Sequence, residues 1–341
     1  MKGVTRGAAF PESDQVSSMW GLAWLRFRGS RLATLALAYV GFMSVVALLA
    51  PVLANRKPLA QKSSAGWTFP AVADYWVNDP DMVPDRVREP RQAYVAYWPP
   101  VAFSPNTVDL GERLEPPGRR HLLGTDDLGR DILARMIHGA RVSLTVGLFA
   151  TAIALVVGSF LGSVAGYYGG AADWIVSRAI EVVLCFPFLF LVLGIVALFK
   201  PSVATIMIAL GLTSWTSEAR FIRGEFLRIR DIEYAQAARA SGARDARIIF
   251  RHLLPNAVAP MLVSASFGVA VAILTESALS FLGLGVPLPT ASWGSMLSKA
   301  YEHIEYAWWM IAFPGLAIFS TVAAFNLVGE RFREALDPRS S

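Results

Sequence analysis

The chain has 341 residues, of which 54% are hydrophobic and 17% are charged. Ordinary soluble domains are roughly 45–50% apolar and about 25% charged, so this composition favours a protein that crosses a membrane several times. Lysine and arginine outnumber aspartate and glutamate by 31 to 26, an excess that in such a chain indicates cytoplasmic loops rather than nucleic-acid binding. A lone cysteine, Cys185, excludes an internal disulfide.

Six apolar stretches approach the length of about 20 residues that a helix needs to cross a bilayer. They are Leu32–Leu53, Ser143–Tyr167, Ala179–Phe199, Ser202–Trp215, Ala257–Thr275 and Tyr306–Val328. The first is longer than the core of a signal peptide and is therefore predicted to stay as an anchor. The fourth is the weakest, because Lys200 and Pro201 precede it closely and Glu218 follows. The sequence thus predicts an all-α membrane protein with six transmembrane helices, kinked at Pro187 and Pro314.

Arginines in short loops set the predicted orientation. The loops on one side of the predicted spans are rich in arginine, and eight lie between the fourth and fifth spans, at Arg220, Arg223, Arg228, Arg230, Arg239, Arg244, Arg247 and Arg251. Outside the long first loop, the opposite side has only Lys200 and Lys299. Both termini and the arginine-rich segment are therefore predicted to be cytoplasmic.

This topology divides the chain into five parts. They are a cytoplasmic N-terminal segment at 1–31, a first transmembrane helix at 32–53, an extracytoplasmic loop subdomain at 54–142, a core with five transmembrane helices at 143–328, and a cytoplasmic tail at 329–341. The loop is rich in proline and aromatic residues, which favours a small subdomain over a disordered linker. Its last part, Gly129–Arg141, carries an apolar stripe and is predicted to form a helix along the membrane surface.

The segment from Glu233 to Ala257 reads EYAQAARASGARDARIIFRHLLPNA and interrupts the apolar pattern. Asp231 is predicted to cap a helix that carries Glu233 in its first turn. Gly242 is predicted to bend the chain before a second helical piece, which Leu254 and Pro255 are predicted to end. A basic amphipathic helix lying on anionic lipid explains the arginines, whereas the small residues favour a surface that another protein grips. Periodicity alone leaves both interpretations open.

The wider pattern of this segment resembles the EAA motif of ABC-importer permeases, E-A-A-x3-G-x9-I-x-L-P. The matching positions are Ala237, Ala238, Gly242, Leu254 and Pro255, with departures at Gln236 and His252. The resemblance implies that the coupling loop 217–256 docks into a cleft on a cytoplasmic ATPase. The predicted docking residues are Tyr234, Ala235, Gln236, Ala237, Ala238, Ser241, Gly242, Asp245, Leu254 and Pro255.

Further segments, in the same order along the chain, are similar to the C-type permease of peptide and nickel importers. They are 121–131, 139–144, 166–170, 280–285, 293–294, 326–330 and 336–338. The segments 54–59 and 66–70 are similar to the permease of microcin C and oligopeptide (Yej-type) importers. The resemblance implies the type I ABC-importer permease fold, with an insertion between helices 1 and 2, in the bacterial inner membrane.

The same resemblance implies a transport subunit that takes up peptides or peptide-like solutes. Its implied partners are a second (B-type) permease subunit, one or two cytoplasmic ATPase subunits and an extracytoplasmic solute-binding protein. The ATPase subunits would bind the ATP, and no cofactor is expected in this chain, which has no Walker A sequence. Nickel or another small solute stays open as cargo, and the sequence does not indicate which residues line the path.

Few residues suggest other chemistry. Neither a nucleophile elbow nor a zinc-peptidase motif appears, which argues against a membrane enzyme. Asp126, Asp127 and Asp131 lack the spacing of a calcium loop, so no metal site is predicted. Glu181 is predicted to form an interfacial ion pair with Arg178, while Glu276 is left open between a solvated position and the solute path. A proton-coupled secondary transporter remains the rival class, although no internal repeat is visible.

Overall fold

The computed structural model describes residues 19–63, 66–73 and 95–336. The remaining parts of the predicted N-terminal segment, loop subdomain and C-terminal tail lie outside these residues. The described chain is mostly helical. Its helices are α1 (Met19–Arg28), α2 (Arg31–Leu48), α3 (Ala50–Leu53), α4 (Pro70–Ala73), α5 (Ile132–Tyr168), α6 (Gly170–Leu184), α7 (Phe188–Leu198), α8 (Val203–Ile229), α9 (Glu233–Ala240), α10 (Asp245–Arg247), α11 (Leu254–Phe281), α12 (Trp293–Tyr301) and α13 (Trp309–Leu336).

Within the described ranges, four helical segments are long and apolar enough to cross a bilayer. They are Arg31–Leu48, Ile132–Tyr168, Asp245–Phe281 and Trp309–Leu336. Helices α6 and α7 together make a further candidate, bent by 86° between Leu184 and Phe188. The predicted kink at Pro187 is therefore confirmed. Pro314 lies inside α13, which continues as one helix, and the kink predicted there stays a prediction.

Helix α8 contains the predicted fourth span. Its first half is apolar, but its second half carries Glu218, Arg220 and Arg223, which lower the hydropathy of the helix as a whole. At about 1.5 Å per residue, its 27 residues extend about 40 Å, which exceeds the thickness of the hydrocarbon core. The described structure therefore shows four or five apolar spans, with α8 as a long helix of mixed character.

Helices α5 and α8 pack closely because α5 has glycines at a spacing of four residues on the contact face. A Cβ atom added to Gly158 would lie 2.5 Å from Cβ of Glu218, and one added to Gly162 would lie 2.5 Å from the Ala219 carbonyl oxygen. Gly166 approaches Phe226 in the same way, at 2.6 Å. Small residues at four-residue spacing let membrane helices approach this closely. The two helices therefore pack with their backbones in close contact.

The long loop after α3 contains a small antiparallel sheet in its described part. Its strands, β1 (Ala60–Ser63), β2 (Gly66–Thr68) and β3 (Val95–Tyr97), lie in the order β2-β1-β3. Gln61 of β1 pairs with Thr68 of β2 and with Ala96 of β3.

The prediction that Gly129–Arg141 forms a helix along the membrane surface is wrong. Helix α5 begins at Ile132 and runs without a break to Tyr168, so this segment forms the first turns of a membrane helix. Its apolar stripe meets protein: Ile132 is buried in a cluster with Met296, Trp309 and neighbouring residues of α12 and α13. Periodicity identifies an apolar face but does not show whether lipid or protein covers it.

Candidate functional site

The arginine-rich segment folds into a short helix, α9, that starts one residue later than predicted. Ile232 occupies the position before the first turn and offers no side-chain hydrogen bond, so the predicted cap at Asp231 is wrong. The backbone carbonyl of Asp231 instead accepts a hydrogen bond from Nε2 of Gln236 at 2.8 Å. Glu233 lies in the first turn as predicted.

Gly242 ends α9 in a left-handed conformation, with φ of +76°. The Ala243 N–H donates to the Ala238 carbonyl at 3.1 Å, and the Gly242 N–H donates to the Arg239 carbonyl at 2.9 Å. These two bonds form a Schellman motif, the usual ending of a helix at glycine. The predicted bend at Gly242 is confirmed.

The predicted end of the second helical piece at Leu254 and Pro255 is wrong. After α10, a π-helical turn (Ile248–Leu253) leads directly into α11, in which Pro255 occupies the first turn. The N–H of Leu254 donates to the carbonyl of Ile249, five residues back. A wide turn of this kind gives the proline ring room and leaves out the hydrogen bond that proline cannot donate. Helical structure therefore continues from the loop into the membrane.

The inner side of the loop is anchored on the ends of α5 and α8. Ala235 is fully buried, in a cluster that combines residues of the loop with residues of both helices. The cluster comprises Tyr167, Ile222, Phe226, Ile229, Ala235, Ile248, Ile249, Leu253 and Ala257. Polar contacts reinforce it: the Tyr167 hydroxyl donates to Asp245 at 2.8 Å, and Arg230 donates to the Gly166 carbonyl at 3.2 Å.

The outer side of the loop exposes small side chains next to arginines. Among the predicted docking residues, Tyr234, Gln236, Ala237, Ser241, Gly242, Asp245 and Pro255 are exposed, Ala238 and Leu254 are half-buried, and Ala235 is buried. A Cβ atom added to Gly242 would meet no described atom within 4 Å. The exposed face of α9 is therefore a shallow, open surface on a packed base. Tyr167 and Arg230, which sequence reasoning did not select, hold that base in place.

Two carboxylates are buried inside the helix bundle. Glu276 has no exposed surface and accepts hydrogen bonds from Ser143 at 3.2 Å and from Ser280 at 2.7 Å. It is therefore enclosed between α5 and α11 rather than solvated. Glu218 accepts a hydrogen bond from Ser264 at 2.8 Å. Sequence reasoning noted Glu218 only as a charge close to an apolar stretch. The predicted ion pair between Arg178 and Glu181 is present at an exposed position.

Arginines surround the aspartates of the predicted extracytoplasmic loop. Nε of Arg130 lies 2.7 Å from Oδ2 of Asp126, and Nε of Arg135 lies 3.5 Å from the same oxygen. Within residues 19–63, 66–73 and 95–336, no group of three His, Cys, Asp or Glu side chains is arranged to hold a metal ion. The cluster forms a buried network of ion pairs.

His121 is the centre of a second network next to the first. Its Nδ1 lies 2.8 Å from Asp131 and its Nε2 lies 2.9 Å from Glu112, and the ring is 2% exposed. Burial lowers the pKa of His121, but the hydrogen bonds to the two carboxylates and their charges raise it by more, so the pKa lies above its ordinary value. Asp131 also caps α5 by accepting from the Ala134 N–H at 2.7 Å.

Comparison with known proteins identifies the fold and the family. Residues 158–341 match the family of binding-protein-dependent transport system inner membrane components, and residues 18–66 match the N-terminal transmembrane domain of oligopeptide transport permease C. The chain is similar to a chain of the MetNI methionine ABC transporter, with a TM-score of 0.50, 18% identity and coverage of 60% of this chain and 96% of that chain. At that identity the likeness shows a common fold.

Two relatives from curated proteins match over most of their length. The oligopeptide transport system permease protein OppC of Bacillus subtilis (strain 168) is 33% identical over 333 residues, which is 98% of this chain and 94% of that protein. The dipeptide transport system permease protein DppC of Alkalihalophilus pseudofirmus is 41% identical over 247 residues, which is 72% of this chain and 81% of that protein. The chain therefore belongs to the family of binding-protein-dependent transport system inner membrane components, and it is a membrane-spanning permease subunit of an ABC importer.

Proposed function

We propose that this permease takes up peptides or peptide-like solutes and is driven by cytoplasmic ATPase subunits that dock on the coupling loop 217–256. The two relatives described above are a dipeptide and an oligopeptide permease protein, which supports peptides as the cargo. The observation that supports ATPase docking is the exposed small-residue face of α9, fixed on a packed base.

The base of the loop supports a role in force transmission. Residues of the loop pack against α5 and α8, and the π-helical turn joins the loop to α11 without a break. A force applied to α9 therefore reaches three membrane helices through packed contacts and continuous backbone. Movement of the docked ATPase subunits would tilt these helices and switch the solute path between its two openings.

The burial pattern disfavours the alternative in which the loop lies on anionic lipid. That interpretation needs an apolar face that is free to enter the bilayer. Three of the four large apolar residues of the π-helical turn, Ile248, Ile249 and Leu253, are buried against α5 and α8 instead, and Phe250 is the one that is exposed. Apart from Tyr234, the outward-facing residues of α9 are small, polar or charged, a surface that suits contact with another protein.

The proposed topology has six spans, with α8 as the fourth and the α6–α7 pair as the third. Both termini and the coupling loop lie in the cytoplasm, and the loop 54–142 forms an extracytoplasmic subdomain between the first two spans. Arginine placement supports this orientation, because eight arginines lie between the fourth and fifth predicted spans. The proposed partners are a second permease, one or two ATPase subunits and a solute-binding protein.

A proton-coupled secondary transporter is the second candidate, because Glu218 and Glu276 are buried in membrane helices. Proteoliposomes that contain the two permeases and the binding protein, with and without the ATPase subunits, separate these functions. Uptake of a labelled peptide that needs ATPase subunits and ATP supports the importer. Uptake driven by a proton gradient without them supports the secondary transporter, and the same assay with nickel tests the alternative cargo.

The docking face is tested most directly at Ala237, which is exposed within α9. Ala237→Trp places a large ring on that face without straining the helix. We expect the ATPase subunits to be lost when the complex is purified, and substrate-stimulated ATP hydrolysis to fall at least tenfold. Ala102→Trp is the control, because Ala102 is an exposed alanine near the opposite end of the bundle. Normal ATPase recovery and hydrolysis with Ala237→Trp would contradict docking at this face.

A further inference from the structure

A cavity of about 660 Å³ opens between α7, α12 and the loop that follows α11. It lies at the end of the bundle away from the coupling loop, because α8 and α11 each extend about 40 Å from the coupling loop to it. In the proposed topology, this is the extracytoplasmic end, where the binding protein delivers the solute.

The walls of the cavity are mainly apolar. Helix α7 contributes Leu193, Val196 and Ala197, and the loop 283–288 forms the facing wall. The volume is typical of pockets that bind small molecules, which are usually apolar with a few polar groups that orient the ligand. The shape and lining therefore suit the side chains of a short peptide.

The polar groups of the cavity lie mainly on α12. That helix contributes Ser295, Ser298 and Lys299. Among the described residues that line the cavity, only Lys299 is charged. Nζ of Lys299 lies 3.7 Å from Glu302, and both side chains are substantially exposed, at 39% and 61%. An ion pair in such an exposed position is weak. A carboxylate that enters the cavity can therefore compete with Glu302 for the ammonium group.

We propose that this cavity receives the C-terminal end of an incoming peptide, with Lys299 as the contact for its carboxylate. The inference rests on the proposed function, since it assumes a peptide cargo. Charge complementarity is the argument for this occupant: an acyl chain or an apolar segment of the second permease would fill the apolar walls but has no group for the ammonium. The C-terminal end of a peptide offers a free carboxylate for the Lys299 ammonium group and apolar side chains for the apolar walls.

The test compares tri-alanine with its C-terminal amide in the complete complex in proteoliposomes, with the loaded binding protein at saturation. We expect the wild-type complex to take up the free acid faster than the amide. Lys299→Gln should reduce the ratio of the two rates about fivefold, the effect of losing one ion pair at a half-exposed site. Lys299→Arg should keep the ratio, and Lys62→Gln, at an exposed lysine of β1, should leave it unchanged.

Ser298→Trp supplies an independent test by filling the cavity. Uptake of both peptides should fall while the subunits still purify together. Three results would each overturn the inference. The first is an unchanged ratio of free-acid to amide uptake in Lys299→Gln. The others are unchanged uptake in Ser298→Trp and loss of the second permease from the Ser298→Trp complex. A wild-type complex that takes up no peptide at all would instead contradict the proposed function, so the two failures are distinguishable.

Discussion

Gly242 shows how one residue shapes the coupling loop. Its φ of +76° lies in the left-handed region, where a side chain collides with the following carbonyl, and it closes the Schellman motif after α9. The space around its Cα is open, so an added methyl group meets no neighbour within the described chain. A substitution at Gly242 therefore changes the backbone conformation of the turn first. Any change in the surface that a partner contacts follows from that.

We predict that Gly242→Ala destabilises the turn between α9 and α10 by about 1 kcal/mol, because alanine adopts this conformation at a cost of that order. Hydrogen exchange over residues 233–247 of the purified complex should become faster. Gly242→Asn is the matched variant, since asparagine tolerates left-handed φ better than alanine does. Equal exchange in wild type, Gly242→Ala and Gly242→Asn would show that the turn does not depend on glycine.

The contact between α5 and α8 belongs to the scale of elements. The two helices approach most closely at Gly158, Gly162 and Gly166, where the hydrogen atom of glycine fits but a Cβ atom would not. A Cβ atom at Gly162 would lie 2.5 Å from the carbonyl oxygen and 3.1 Å from Cα of Ala219. Neither atom belongs to a side chain that can rotate away, so the helices must separate to make room.

We predict that Gly162→Leu forces α5 and α8 apart and lowers stability by at least the 1–3 kcal/mol that is typical of overpacking. The midpoint of thermal unfolding of the detergent-purified complex should decrease. Gly224→Ala in α8 is the control, because its added methyl group meets no described atom within 4 Å. It should leave the midpoint unchanged or slightly raised, since alanine favours a helix over glycine. A wild-type midpoint for Gly162→Leu would refute the close contact.

At the scale of the whole molecule, the predicted extracytoplasmic loop is fastened to the helix bundle at several points. Arg135 of α5 donates to the Pro105 carbonyl at 2.9 Å, and Trp309 of α13 donates to the Thr125 carbonyl at 3.1 Å. His121 ties the same segment to the capping residue Asp131. The end of the molecule opposite the coupling loop is thus held by buried polar contacts, whereas the coupling loop is held mainly by apolar packing.

The pKa of His121 makes this fastening dependent on pH. Because the pKa is raised in the folded protein, the stabilisation is fully present below the ordinary value of 6.5 and is lost as the pH rises through the raised value. We predict that residues 104–131 exchange amide hydrogens faster above this range than below it, after correction for intrinsic rates. His121→Gln should remove the difference, while His303→Gln should keep it. A wild-type segment with no pH dependence would contradict the prediction.

Family membership and the apolar spans were largely predictable from sequence because they depend on features that are local in the chain. Few distant contacts change the backbone hydrogen bonding around Ala237, Ala238 and Gly242. The hydropathy of the long apolar runs is likewise independent of distant contacts. The break at Pro187 was predictable for the same reason, since proline lacks a donor wherever it lies. Charge placement indicated an orientation, and that orientation stays a prediction, as does the similarity to microcin C permeases.

The amino-acid sequence by itself determined a helical membrane permease with a bent, arginine-rich segment, whose coupling role stays a prediction. The tertiary structure decided which face of each element is covered. It buried Ala235 and enclosed Glu276, continued the helix through Pro255, and placed the first turns of α5 against α12 and α13. It also brought α7 and α12 together around one cavity. These outcomes depend on contacts between residues far apart in the chain, and burial is a property of those contacts rather than of any local pattern.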